Sequence, residues 1–497
     1  MKRTLSNIAL LGLLVPGLAL SGCGSSKETV RADATPKQRT PPDEPWRKER
    51  PAAGTDADVK LPTFQKAQLK NGVTVLVAEE HSLPIVDMQV VVLAGAIAEK
   101  PNEAGLSAVA FDMLDEGAGE YNALSLADAF AKLGTNVGIS SGRESGVVSL
   151  DVLKRNADEG LQLLSLLVQK PTFASDDFDR VRERHLSNLK QRAGQPGAVA
   201  SDLFSSAAYG RTHPYGTPSA GTLETVQKLN AKRAKKFWTD HAAPATTAVV
   251  FAGDVTLDEA KALAEKHFGK WKGRAKRPQA PSEPAATKLS IQLVDFPGAP
   301  QTIVRIGRPV LTKGDPDEPA FEVMNQILGG MFSSRLNMNL REAKGWTYGA
   351  FSGVQAMRTK GPLVAGAGIK TEHTAAALTE FFNEFAKLSA ENITDAELAA
   401  AKANYIKSLP GLFETVGAMG GAASGLFVYD LPTDYYAQIP ARIEAVTIDD
   451  VKRVAARGLV KEEMVVVLVG DAATIEPGLK ELGLADIVRM SPTGERL

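Results

Sequence analysis

The chain has 497 residues, 44% hydrophobic and 23% charged, a balance that excludes a wholly disordered or collagen-like polymer. That length exceeds one compact domain and suggests two or three. Its 57 basic and 58 acidic groups nearly cancel, so no polyanion-binding surface is indicated, and a single cysteine excludes an internal disulfide.

The first segment reads as an address. Lys2 and Arg3 precede an apolar run over residues 8–20, too short to span a bilayer comfortably. The run ends in Leu20-Ser21-Gly22-Cys23, which resembles the bacterial lipobox. That resemblance implies a signal peptide over 1–22 and a diacylated Cys23 as the mature N-terminus. Gly24 stands where aspartate commonly retains lipoproteins in the inner membrane. The expected location is therefore the cell envelope, anchored in the outer membrane and facing the periplasm. Residues 23–60 then form the lipidated cysteine and a tether: five prolines, mixed charges and few aliphatic groups cannot bury a core. Extended, this tether reaches up to about 100 Å.

Alternating and continuous apolar runs predict strands over 73–78 and 85–93, then helices over 104–116 and 125–133. Strands over 135–141 and 146–152 are joined by a short link containing Gly142, which pairs them antiparallel. Long helices follow over 156–209. A strand over 247–252 ends in Gly253-Asp254 and leads to a helix over 257–268; a strand over 464–469 ends in Gly470-Asp471 and does the same. The two Gly-Asp pairs lie 217 residues apart. The same offset superposes Leu229-Asn230 on Val446-Thr447 and residues 73–78 on 290–295. Three matches in register predict a duplication: one domain over 61–272, a Pro- and Lys-rich linker over 273–288, and a second domain over 289–497. Locally joined strands with helices in blocks give the α+β class, each half a mostly antiparallel sheet covered by helices.

A series of short motifs runs through both halves: Glu103-Ala104-Gly105-Leu106, Met113-Leu114, Pro171-Thr172-Phe173, His213-Pro214-Tyr215-Gly216, Ser334-Arg335-Leu336, Leu340-Arg341-Glu342 and Gly345-Trp346-Thr347-Tyr348-Gly349. In this order and spacing, from about residue 62 onward, the sequence resembles the M16 (pitrilysin-like) metallopeptidases. Catalytic members carry H-x-x-E-H on the early helix: two histidines on one helical face hold zinc, and the glutamate activates water. A glutamate on a later helix completes the ligands. The resemblance places Ala108, Phe111 and Asp112 at the three motif positions and Leu189 or Lys190 at the later one. None of these forms the ligand set, so this chain is expected to bind no metal itself.

The histidines are His81, His185, His213, His241, His267 and His373, no two within 25 residues, so no helical His pair can replace the motif. Asp112, Asp115 and Glu116 form an acidic group that reads as a solvated helix end. The His213 loop reads as structural, and His241 sits favourably at a helix C-terminus.

What the resemblance retains lies in the second half. Arg341 and Tyr348 match an arginine–tyrosine pair that, in the family, contacts substrate carbonyls and the developing oxyanion. The expected function is a membrane-anchored, zinc-less homologue that pairs with a zinc-bearing M16 subunit as a heterodimer and contributes Arg341 and Tyr348 to a peptide-degrading chamber. The zinc is then expected in the partner. Two alternatives stay open: a non-proteolytic binding or assembly scaffold of the envelope, and a stand-alone metallopeptidase with an atypical site.

Overall fold

The computed structural model describes residues 48–49, 59–390 and 393–497; the lipobox with Cys23 and nearly all of the tether lie outside the described residues. Residues from Asp58 onward form one compact unit.

Valine-rich runs such as 247–253 and 465–470 are buried along their whole length, as strands covered on both faces must be. The first half builds β1 (Gln65–Gln68), β2 (Thr74–Glu79), β3 (Ile85–Val92), β4 (Gly138–Ser141), β5 (Gly146–Leu153) and β6 (Thr247–Gly253). They lie in the order β1-β2-β6-β3-β5-β4, and only β2 and β6 run parallel. The second half builds β7 (Ser290–Asp295), β8 (Gln301–Leu311), β9 (Thr347–Val354), β10 (Gly361–Lys370), β11 (Val465–Gly470) and β12 (Ile487–Met490). Their order is β9-β10-β8-β11-β7-β12, with β7 parallel to both of its neighbours. Five strands of one sheet therefore map onto five of the other in the same order. This is the repetition that the 217-residue offset predicts, in the expected α+β class. The halves differ at one edge, where β1 comes from before the repeat and β12 from after it.

The predicted helices are present but more broken. The expected helix over 104–116 is α1 (Leu106–Asp112) followed by a tight turn at Leu114–Glu116. The block over 156–209 divides into Ala157–Gln169, α2 (Ser175–Ala193) and α3 (Pro196–Tyr209). Pro171 and the left-handed Phe173 make the first break, and Pro196 at the first position of α3 makes the second.

Each half lends a helix to the other. On the first-half helix α3, Val199, Leu203 and Phe204 pack on Val465, Val467 and Val469 of the second sheet. On the second-half helix α4 (Val416–Tyr429), Met419, Ala423, Leu426 and Phe427 pack on Leu76, Val91, Leu93 and Val250 of the first. The contact is close because Gly420 lacks a side chain: a Cβ there would sit 2.0 Å from the Asp87 carboxylate. Burying such side chains contributes about 1.5–3 kcal/mol each, so the exchange welds the halves together. The linker runs along this junction. Arg277 donates to the Val428 carbonyl at 2.9 Å, and the carbonyls of Pro278 and Ser282 are held by Arg358 and His213.

Candidate functional site

The start of α1 is fixed by one carboxylate and one glycine. Glu99 accepts from the Gly105 and Ser107 amides at 3.1 and 2.6 Å, which satisfies donors that a helix N-terminus leaves free. Burial pushes the Glu99 carboxyl up to about 7, against those hydrogen bonds. Gly105 adopts φ +88°, and a Cβ there would meet the Ala220 carbonyl at 2.7 Å.

The three positions that the sequence aligns with a metal motif follow on this helix. Ala108 is half-buried and offers only a methyl group. Phe111 is fully buried, its ring set edge-on to Trp238 with centroids 5.1 Å apart. Its far side is closed by Gly146, where an added Cβ would lie 2.2 Å from the ring. Asp112 faces His185, with Oδ2 to Nδ1 at 3.4 Å, while His185 Nε2 bonds the Ala220 carbonyl at 2.7 Å. That bond needs a proton on Nε2, so both ring nitrogens are engaged. Leu189, one turn further along α2, is half-buried alkyl surface, and Lys190 is exposed. Zinc requires a converging set of imidazole, thiolate or carboxylate donors. These residues do not fit it, and among the described residues no three His, Cys, Asp or Glu side chains gather to hold a metal ion.

Of the other acidic residues at the helix end, Asp115 is exposed as expected, but Glu116 is not part of a solvated end: it holds structure. Glu116 is buried and takes two bonds from Arg180, at 3.1 and 2.6 Å, with Arg184 at 3.5 Å. The ion pair ties α2 to the turn after α1. His213 accepts from the Tyr215 amide at 3.0 Å, Tyr215 bonds the buried Glu144, and His241 bonds the Phe237 carbonyl at 2.8 Å within its own helix.

The second half presents a different surface. Arg341 lies in a wide helical turn, Met338–Ala343, which Gly345 (φ +64°) ends before β9 begins. Its guanidinium stacks 4.7 Å above the exposed Phe332 ring and pairs with its neighbour Glu342 at 3.3 Å. Tyr348 is 89% exposed. It sits where the β9–β10 pairing slips between Thr347 and Ala350. The buried Asn337 holds that irregularity: its Oδ1 accepts from the Ala350 amide at 3.2 Å, and its Nδ2 donates to the Phe332 carbonyl at 2.7 Å. One amide side chain thus joins the segments that carry Phe332 and Tyr348. Among the described residues β9 is an edge strand, with no strand on its outer side, although its Ala350 amide is taken by Asn337.

The family model described as "Insulinase (Peptidase family M16)" matches residues 74–222, and the one described as "Peptidase M16 inactive domain" matches 228–405.

The chain belongs to the M16 peptidase family.

Its M16 relatives are named in two ways. It is 26% identical over 340 residues to an uncharacterized zinc protease of Mycobacterium bovis, covering 67% of this chain and 76% of that protein. It is 22% identical over 385 residues to the non-peptidase homolog YmxG of Helicobacter pylori, covering 76% and 87%. A solved M16 inactive-domain protein of Pseudomonas fluorescens superposes with a TM-score of 0.77 at 28% identity, covering 82% of this chain and 98% of that one.

Within the M16 frame, sequence reasoning missed two residues. His185 shares a helical face with Leu189, four residues on, but a lone histidine carries no motif. Asn337 lies between two recognised motifs and belongs to neither; only the strand register gives it a role.

Proposed function

We propose that this M16 chain is the zinc-less member of a two-chain peptidase. A partner M16 subunit with intact H-x-x-E-H supplies zinc, water and base. Arg341 and Tyr348 of this chain meet the carbonyl being cleaved. The observation that carries the reading is a contrast. The aligned motif positions are filled by a methyl group, a buried phenyl ring and a carboxylate already facing an imidazole, whereas Arg341, half-buried, and Tyr348, exposed, stand at a sheet edge held by Asn337. A tetrahedral intermediate places negative charge on oxygen, and fixed guanidinium and phenol donors stabilise it by a few kcal/mol. Extended peptides suit the sheet edges at β4 and β9, where backbone bonds give affinity with little sequence preference. Cys23, acylated, would hold the assembly at the envelope membrane.

The test is co-purification with an H-x-x-E-H chain, then peptide cleavage by the complex. Arg341→Ala and Tyr348→Phe should each lower turnover with the complex intact. Equal turnover by both variants and the parent complex would remove the proposed role. A second reading, a non-proteolytic scaffold, is favoured by the relative named a non-peptidase homolog. It expects a stable complex whose partner cleaves no peptide faster in its presence.

A further inference from the structure

Between the C-terminal turn of α2, the helix α3 and a turn of the distant chain terminus, Pro492–Gly494, lies a cavity of about 270 Å³. Its floor is apolar, formed by Leu189, Val199 and Leu203. Four charged residues line it, and three are already neutralised. Arg192 grips Asp202 with two bonds of 2.8 Å, and Glu224 is paired with Lys228 at 2.6 Å. The fourth is Arg211, exposed at the rim, with no carboxylate in ion-pair range among the described residues. The threonine hydroxyls nearby are engaged: Thr222 and Thr225 cap a short helix, and Thr217 donates to backbone carbonyls. The roof bears on the same arginine. Gly494 has φ +82°, and a Cβ there would stand 3.0 Å from the Arg211 guanidinium, so the bare backbone keeps Arg211 at the mouth.

What this lining leaves unsatisfied is one permanent cation above an alkyl floor. A guanidinium fork matches a carboxylate with two parallel bonds, and the floor matches an aliphatic body. We infer that the cavity binds an apolar carboxylate, either the C-terminal residue of a peptide or a free organic acid. The inference needs neither a partner chain nor peptide cleavage, so it stands or falls apart from the proposed function.

The experiment titrates the full chain with N-acetyl-leucine, octanoate and, as the uncharged control, N-acetyl-leucinamide, by calorimetry and ligand-observed NMR. At least one acid should bind saturably, the amide should not, and Arg211→Gln should weaken binding at least tenfold. Leu203→Trp, which fills the floor, should abolish it; Arg211→Gln at the rim guards against a folding artefact. Binding of N-acetyl-leucine without octanoate assigns a peptide end, and the reverse assigns a free acid; either supports the carboxylate chemistry. Neither acid saturating by ~10 mM, or equal affinity in Arg211→Gln, overturns it.

Discussion

Asp112 Oδ2 lies 3.4 Å from His185 Nδ1, and the opposite ring nitrogen is bound to the Ala220 carbonyl at 2.7 Å. Burial pulls this imidazole's pKa down, but the bonds to Asp112 and Ala220 outweigh it, and the pKa stands above its ordinary value of 6.5. A raised folded-state pKa stabilises the protein fully below 6.5 and loses that contribution as pH rises through the folded value. Asp112→Asn should therefore flatten the decline of stability above pH 6.5. The cost at pH 5–6 should be below about 1 kcal/mol, because Asp112 is partly solvated. Denaturant titrations across pH read this directly, and an unchanged slope would remove the linkage.

A second pH effect has the same sign. Asp87, buried on β3, pairs in register with Asp151 on β5 and lies under Gly420 of α4. Burial and the neighbouring Asp151 charge raise its pKa from 3.8 to about 8. The unfolded chain ionises Asp87 near pH 4 while the folded chain keeps the proton, so stability should fall as pH rises from about 4 to about 8. Asp87→Asn keeps the shape and cannot ionise. It should be more stable than the parent at pH 8 and nearly equal at pH 4, as measured by the thermal midpoint.

Phe111 fills its space too well for the metal motif to be rebuilt there. Phe111→Ala should cost about 3–5 kcal/mol from lost burial and the cavity left behind. Phe111→Glu should cost as much or more, since an unpaired carboxylate would face Trp238. The triple change Ala108→His, Phe111→Glu, Asp112→His should therefore give poorly folded protein rather than a zinc site. A cooperative unfolding transition with stoichiometric zinc would contradict this.

The Arg341 and Tyr348 edge should behave in the opposite way. Tyr348 is open to solvent, whereas Arg341 is half-buried with its guanidinium over the Phe332 ring, so Tyr348→Phe should shift stability by less than about 0.5 kcal/mol and Arg341→Ala by about 0.5–1 kcal/mol. Asn337→Ala should cost about 1–3 kcal/mol, because it strands the buried Ala350 amide. In a cleaving complex, Asn337→Ala should lower turnover without lowering peptide affinity in proportion, as expected of a residue that positions the Tyr348 bulge.

Much of the fold was legible in the sequence because its signals are local. Valine runs, Gly-Asp strand ends and the 217-residue offset need no knowledge of distant contacts, and both sheets follow them. Helix breaks were less legible: the apolar spacing over 156–209 continues through Pro171 and Gly194, and the backbone there decides where each helix stops.

Composition alone determined one chemical fact. A methyl or phenyl group has no lone pair, so no fold can turn Ala108 or Phe111 into a metal ligand. Tertiary structure decided which groups meet: His185 against Asp112, Asn337 under the β9 bulge, and α3 and α4 each laid across the other half's sheet. Sequence spacing fixes which residues share a face of one helix or strand. Which faces then touch depends on packing between segments hundreds of residues apart, and no local pattern records that.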